Sequence, residues 1–232
     1  MISAEQRKEV RDYLLSKKIP IDILMELEDH FLSQIDHTMI KNISFEKAFD
    51  EVKKIWQEDL ELTKMYNGKE VVVFVKDIRD REMIKIFRKS LMVFFLMNVI
   101  LFTLSKMLEK EIFSEIFPFL VMTLTSIPSM LFLLYIRYFN YVGQFRNVKF
   151  TIFQNSNIPL ILVGAFQPFL LGKYGKLGVL IYNGFEQSSM TGLFSLIIFS
   201  GCVGLYSYSF FILLGFVKSM KKMKPYLTTF NL

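Results

Sequence analysis

The chain is poor in the residues that build reactive centres. Of its 232 residues one is cysteine and two are histidine. Cys202 lies alone inside an apolar run, so no disulfide framework or zinc cluster can be assembled from it. The histidines, His30 and His37, stand beside no plausible nucleophile. There is no glycine-rich phosphate loop, no His-Glu-x-x-His pair and no Gly-x-Ser-x-Gly elbow. These absences argue against an enzyme and against any cofactor; a nucleotide-driven permease would need its Walker loop on another chain. The opening MISAEQRKEV has neither an apolar signal-peptide core nor a cleavage site, so the amino-terminal part is expected to stay in the cytoplasm. Charge is also missing from the interior of the apolar runs, where an ion-coupled transporter would show it.

What is present is hydrocarbon. Hydrophobic residues make up 52% of the chain and 25 of them are Phe, and their distribution is uneven. Residues 1–68 carry 14 acidic and 10 basic side chains, whereas the remainder is strongly basic within an overall net charge of +6. The later cations flank apolar runs, as juxtamembrane residues do, which argues for lipid contact and against direct nucleic acid binding.

Residues 1–68 read as three helices. Ser3 with Gln6 forms a capping-box pattern ahead of Val10, Tyr13 and Leu14 at helical spacing. Pro20 suits the start of a second helix, whose stripe is Leu24, Leu27, Phe31, Ile35 and Met39. Asn42 stops it. Ser44 opens a third helix, FEKAFDEVKKIWQEDLELTKMY, striped by Phe45, Ala48, Phe49, Val52, Ile55, Trp56 and Leu60 and ended by Gly68. Residues 69–90 form a basic connector. Its VVVFV stretch has strand character without an evident partner, so an amphipathic helix or an extended linker is expected there.

Four apolar stretches follow, at 91–108, 112–136, 150–171 and 193–217, each able to supply the roughly 20 residues that cross a bilayer. The segment 172–192 between the last two is glycine-rich and reads as an outer loop that either dips into the interface or forms a small hairpin. With the amino end inside, thirteen cations lie on inner segments against four outside, which favours four spans and both termini in the cytoplasm. The fold class expected is therefore all-α: a cytosolic three-helix domain (1–68), the connector, a four-span bundle (91–217) and a basic tail (218–232) in the cytoplasmic membrane.

Candidate functional residues fall into three sets. Asn155, Asn157 and Gln167 in the third span could line a ligand-sensing cavity that Pro118, Pro128, Pro159 and Pro168 help to open. Glu26, Asp29, His30 and His37 share the second helix and could form a partner-binding or pH-sensing face. No metal site is expected there, because ligands at i, i+4 and i+11 spread over more than about 12 Å of helix, and Glu26 with His30 alone makes only a weak site. Arg79, Lys85, Arg88, Lys89, Lys221 and Lys222 are placed to meet anionic headgroups. Ser200 and Gly204 give a small-xxx-small face that suits helix packing or a homo-oligomer.

The run YLLSKKIPIDILMELEDHFLSQI followed by ISFEKAFDEVKKIW resembles the HAAS-type or permease-prefix helical domains of small bacterial membrane proteins. The matching residues are Glu26, Asp29 and His30 in the second helix and Ser44, Glu46, Ala48 and Phe49 at the start of the third. Asn42-Ile43 stands where such domains usually have glycine before the serine, a change that asparagine tolerates in a left-handed turn. The resemblance covers about the first 66 residues. It implies a signalling role and a cytosolic protein partner, a PadR-like transcription regulator being the associated type. The function expected is thus a non-enzymatic membrane regulator or sensor; the alternative is a small permease subunit that relies on a separate energising protein.

Overall fold

The computed structural model describes residues 2–65, 68–144, 149–154 and 171–229. It is all-α, 81% helical, with eight helices and two short strands among the described residues. The chain divides into two compact units. The first draws on Met1–Met83, Tyr141–Gln154 and Phe216–Leu232, the second on Ile84–Asn140 and Asn155–Gly215.

The first unit opens with α1 (Ala4–Ser16), α2 (Ile21–Met39) and α3 (Phe45–Ile55). The Ser3 hydroxyl accepts from the Gln6 amide at 3.2 Å and the Gln6 side chain accepts from the Ser3 amide at 2.8 Å, which satisfies two of the free donors at the start of α1. Asn42 holds the left-handed turn before α3 with φ of 60°. Val10, Leu14, Leu27, Phe31, Ile35, Ala48, Phe49 and Val52 form one core. Beside it Arg11 donates twice to Glu28, at 2.9 and 2.7 Å, in a forked pair that ties α1 to α2.

The third helix is shorter than its apolar stripe suggests. It stops at Trp56, and the chain then makes a hairpin of β1 (Leu62–Lys64) and β2 (Glu70–Val72), with Leu62 opposite Val72 and Thr63 opposite Val71. The strand partner that VVVFV lacked in sequence is thus Leu62–Lys64, reached through a turn in which Gly68 has φ of 75°. Trp56 explains the stop. Its ring lies 5.5 Å from that of Phe31 and 5.3 Å from that of Phe74, and its Nε1 donates to Gln34 at 2.9 Å. Leu60, Val72 and Val75 join the same core, so the chain turns back on itself to bury them.

From Val73 one helix, α4 (Val73–Met107), runs for 35 residues, joining most of the connector and the first apolar stretch in a single element. In the second unit α4 is followed by α5 (Lys110–Leu134), which contains Pro118 and Pro128. Next come α6 (Ile136–Gln144), α7 (Leu171–Glu186) and α8 (Met190–Thr229). Among the described residues three helices are long and apolar enough to cross a membrane: α4, α5 and the Met190–Met223 part of α8.

Two expectations about the later chain change. The stretch 150–171 is not one apolar helix from its start, because Phe150 and Phe153 are buried in the first unit. There the carbonyls of Lys149 and Phe150 accept from the amides of Ile21 and Asp22 at 2.9 and 3.0 Å. Thr151 and Gln154 turn the segment locally by accepting from the Phe153 and Phe150 amides. Residues 155–170 lie outside the described residues. The glycine-rich segment after them is a helix, α7, and not a loop.

Its glycines are contact points. Gly178 passes the Phe117 ring, and a Cβ built on Gly184 would lie 2.7 Å from the carbonyl carbon of Gly192, closer than real side chains approach. At that crossing α7 and α8 meet backbone to backbone. The α7 helix runs antiparallel to α5, with Tyr182 against Phe113 at 5.5 Å, and its last residue, Glu186, accepts from Lys106 at the end of α4. Gly192→Ala is therefore expected to lower the melting temperature of the detergent-purified protein, at an overpacking cost of about 1–3 kcal/mol. Gly201→Ala, on the same helix with nothing within 4 Å, serves as the silent control in the same thermal scan. A drop common to both variants would assign the effect to the α8 backbone instead of the crossing.

Candidate functional site

The three sets of residues chosen from sequence fare differently. Asn155, Asn157 and Gln167 lie outside the described residues. On α2, Glu26, Asp29, His30 and His37 are all exposed. Glu26 forms an ion pair with Lys222 on α8, so a residue from the partner-binding set meets one from the headgroup set. Among the described residues no group of three or more His, Cys, Asp and Glu side chains could hold a metal ion. Arg79 is half-buried with one guanidinium nitrogen 3.2 Å from the Met65 sulfur. Lys85, Arg88, Lys89 and Lys221 are exposed, and the Lys89 ammonium lies 5.9 Å from the Phe211 ring centroid.

The first unit carries a basic groove that reading the sequence did not single out. It has a volume of about 630 Å³ and runs past the ends of α1 and α3, with Lys17, Lys18, Lys53 and Lys54 on its walls and Glu61 and Glu70 at the hairpin side. Two of the cations are held in place. The Lys53 ammonium sits 3.9 Å from the Phe49 ring centroid and 3.0 Å from Asp50, and Lys17 lies 5.3 Å from the ring of Tyr13. The charge extends beyond the groove. Lys149 has its pKa lowered, first by burial and then by repulsion from Lys69, Lys18 and Arg79, so cations from four separate stretches of chain converge. The Lys-Lys pairs at 17–18 and 53–54 were the available signal, but only the fold brings two helix ends together.

Asp22, in the first turn of α2, marks a junction. Its side chain is 8% exposed, and burial raises its pKa to about 6 against the opposing effects of a hydrogen bond from Ser219 of α8 and from the Ile152 and Ile23 amides. One carboxylate oxygen has no partner among the described residues. Three stretches of chain distant in sequence therefore meet at one carboxyl.

The second unit encloses a different kind of space. A cavity of about 440 Å³ is walled by Val121 and Leu124 of α5, Tyr174 and Leu177 of α7, and Phe199, Cys202 and Val203 of α8, with Thr125 and Tyr206 at its polar edge. The Tyr206 hydroxyl donates to the Thr125 carbonyl at 2.8 Å and lies 3.3 Å from the Ser129 hydroxyl. A turn or two along α8, Ser200 donates to Asn98 of α4 at 2.7 Å, and Asn98 in turn donates to the Phe94 carbonyl. Polar groups along this part of the bundle are thus spent on one another, which leaves the cavity wall largely hydrocarbon. Comparison of the chain with protein-family models, with curated proteins and with solved structures yields no match.

The Asp22 carboxyl sets a pH dependence with a definite sign. Its folded-state value of about 6 lies above the ordinary 3.8, so the folded chain binds the extra proton between those values. Stability of the first unit accordingly rises as pH falls through that window and is lowest above it. Asp22→Asn should flatten this dependence and raise stability at pH 8 by at most about 3 kcal/mol. Trp56, the chain's one tryptophan, reports the unfolding of this unit by fluorescence in urea titrations of the full-length protein. A variant with the wild-type pH profile would show that Asp22 ionises without cost.

Proposed function

We propose that the chain is a non-enzymatic integral membrane regulator or sensor whose amino-terminal helical unit binds an acidic cytosolic protein. The observation that carries this reading is the lysine-walled groove between the ends of α1 and α3, with Lys53 pinned over Phe49. A fixed array of ammonium groups over aromatic rings suits carboxylate-rich protein surface, and charge complementarity gives both steering and register. The HAAS-type resemblance of residues 1–66 points the same way, toward a soluble regulator of the PadR-like type as the partner.

In this reading the membrane part is a four-pass bundle. Helix α4 leads outward, α5 returns, the third pass includes α7, and α8 comes back. The pairing of Glu186 with Lys106 supports placing the end of α7 at the same level as the end of α4. Arg88, Lys89, Arg137, Lys218, Lys221 and Lys222 then fall on the cytoplasmic side, and Lys106 and Lys110 outside, as the positive-inside rule favours. Both termini are cytoplasmic, and the exposed cations Lys85, Arg88 and Lys89 face anionic headgroups.

Two measurements test this. A reporter fused after Leu232 is expected to be active only in the cytoplasm; activity confined to the outer side would overturn the four-pass arrangement. A photo-crosslinking residue in place of Gln57, on the groove wall, is expected to capture one discrete acidic soluble protein in cells. That adduct should disappear in the Lys53→Glu/Lys54→Glu variant, while a groove that captures nothing discrete removes the partner reading.

A further inference from the structure

The bundle cavity has no ligand in the reading above, and its chemistry is specific enough to name one. Its wall is hydrocarbon from three helices, and the Tyr206 hydroxyl at its edge already donates to the Thr125 carbonyl. Among the described residues a polar guest would find little to pair with there beyond the weak donor of the Cys202 thiol, whereas a hydrocarbon chain loses nothing by entering. Cations flank this wall on α7. Lys173 lies four residues before the cavity residue Leu177 and so on the same helical face, and Lys176 lies three residues from Lys173. Both lysines are exposed, and neither forms an ion pair among the described residues.

Their depth makes this unusual. Glu186 meets Lys106 where α4 ends, and Tyr174 shares the cavity with Val121 of α5. In the four-pass arrangement proposed above, at 1.5 Å per residue, Lys176 and Lys173 sit about 15 and 20 Å from the Glu186 end, inside a hydrocarbon core about 30 Å thick. An ammonium at that level is costly unless an anion or water reaches it.

We infer that the cavity binds one long-chain anionic amphiphile, its chain among Val121, Leu177, Phe199 and Val203 and its head group on Lys173 and Lys176. The head can be the carboxylate of a free fatty acid or the phosphate of a membrane lipid; the recognising chemistry is the same. This goes beyond the partner-binding reading and rests on the four-pass arrangement alone, which the reporter fusion tests separately.

Cys202, exposed on the cavity wall and the chain's one cysteine, reports occupancy without any engineered label. The full-length protein in non-ionic detergent is alkylated with a maleimide in the presence of palmitate, dipalmitoylphosphatidylglycerol or hexadecanol. An anionic amphiphile is expected to slow alkylation about tenfold at a concentration where hexadecanol has no effect, as the loss of a charge-assisted contact implies. Lys173→Gln/Lys176→Gln should erase that difference, and Lys173→Arg/Lys176→Arg, which keeps the charge, should retain it. Protection by palmitate alone identifies a free acid, by the phospholipid alone a bilayer lipid, and by both a site that reads only charge and chain. Equal effects of all three amphiphiles, no effect of any, or protection that survives the glutamine variant would overturn the proposal.

Discussion

A helix surface of phenylalanine, leucine and isoleucine must be covered by something other than water, and in α4, α5 and α8 most of that surface is not covered by protein. Phe95, Leu96, Phe119, Phe194 and Ile197 are each more than 60% exposed, on three different helices. Lipid can cover them, but it offers no hydrogen bonds, so every polar group along these helices has to find its partner inside the chain. The hydroxyls show how. Thr103 and Thr123 are exposed and Ser195 is half-buried, and each donates to the carbonyl one turn earlier on its own helix at 2.8–2.9 Å. Only where helices touch, as at Asn98 with Ser200 or Tyr206 with Thr125, do side chains bond across.

The same constraint explains the glycines. Between helices in lipid there is no hydrophobic driving force, so contact has to come from close packing. Gly178 lets α7 settle on Phe117, and Gly184 with Gly192 lets two backbones touch. Glycine every three residues in GKYGKLG reads as a flexible loop by propensity, since each costs about 1 kcal/mol in a helix relative to alanine. In a bundle the close approach outweighs that cost. The rule that marks loops in water therefore misleads at this segment, where Lys173 and Lys176 stand on a helix.

Much of the first unit was legible because its signals are local. The capping box at Ser3, the helix start at Pro20 and the turn at Asn42 each depend on a few adjacent residues, and the stripe of Leu27, Phe31 and Ile35 is pure period. What escaped was non-local. The apolar stripe from Phe45 to Leu60 is consistent with one long helix, and only the need to pack Trp56 against Phe31 and Phe74 stops it early. The groove escaped for the same reason, since its lysines come from helix ends that are 35 or so residues apart in sequence. The Lys222 contact with Glu26 joins the two ends of the chain, and no pattern within either segment announces it.

That closure bears on what the amino-terminal unit is. Its core takes in Val72 and Val75, Ile152 packs against that core, and its Asp22 carboxyl receives Ser219 and the amide of Ile152. Residues 1–68 alone would therefore expose part of the core and leave the start of α2 without the carbonyls of Lys149 and Phe150. The segments that complete the unit follow α6 and end α8, so they are synthesised after one or more of the apolar helices. A buried carboxyl with an unpartnered oxygen, held by backbone and a serine instead of by a cation, makes this closure weaker at neutral pH than an apolar or amide residue would. The closure of the first unit is therefore most sensitive at Asp22, where burial and an incomplete set of hydrogen bonds coincide.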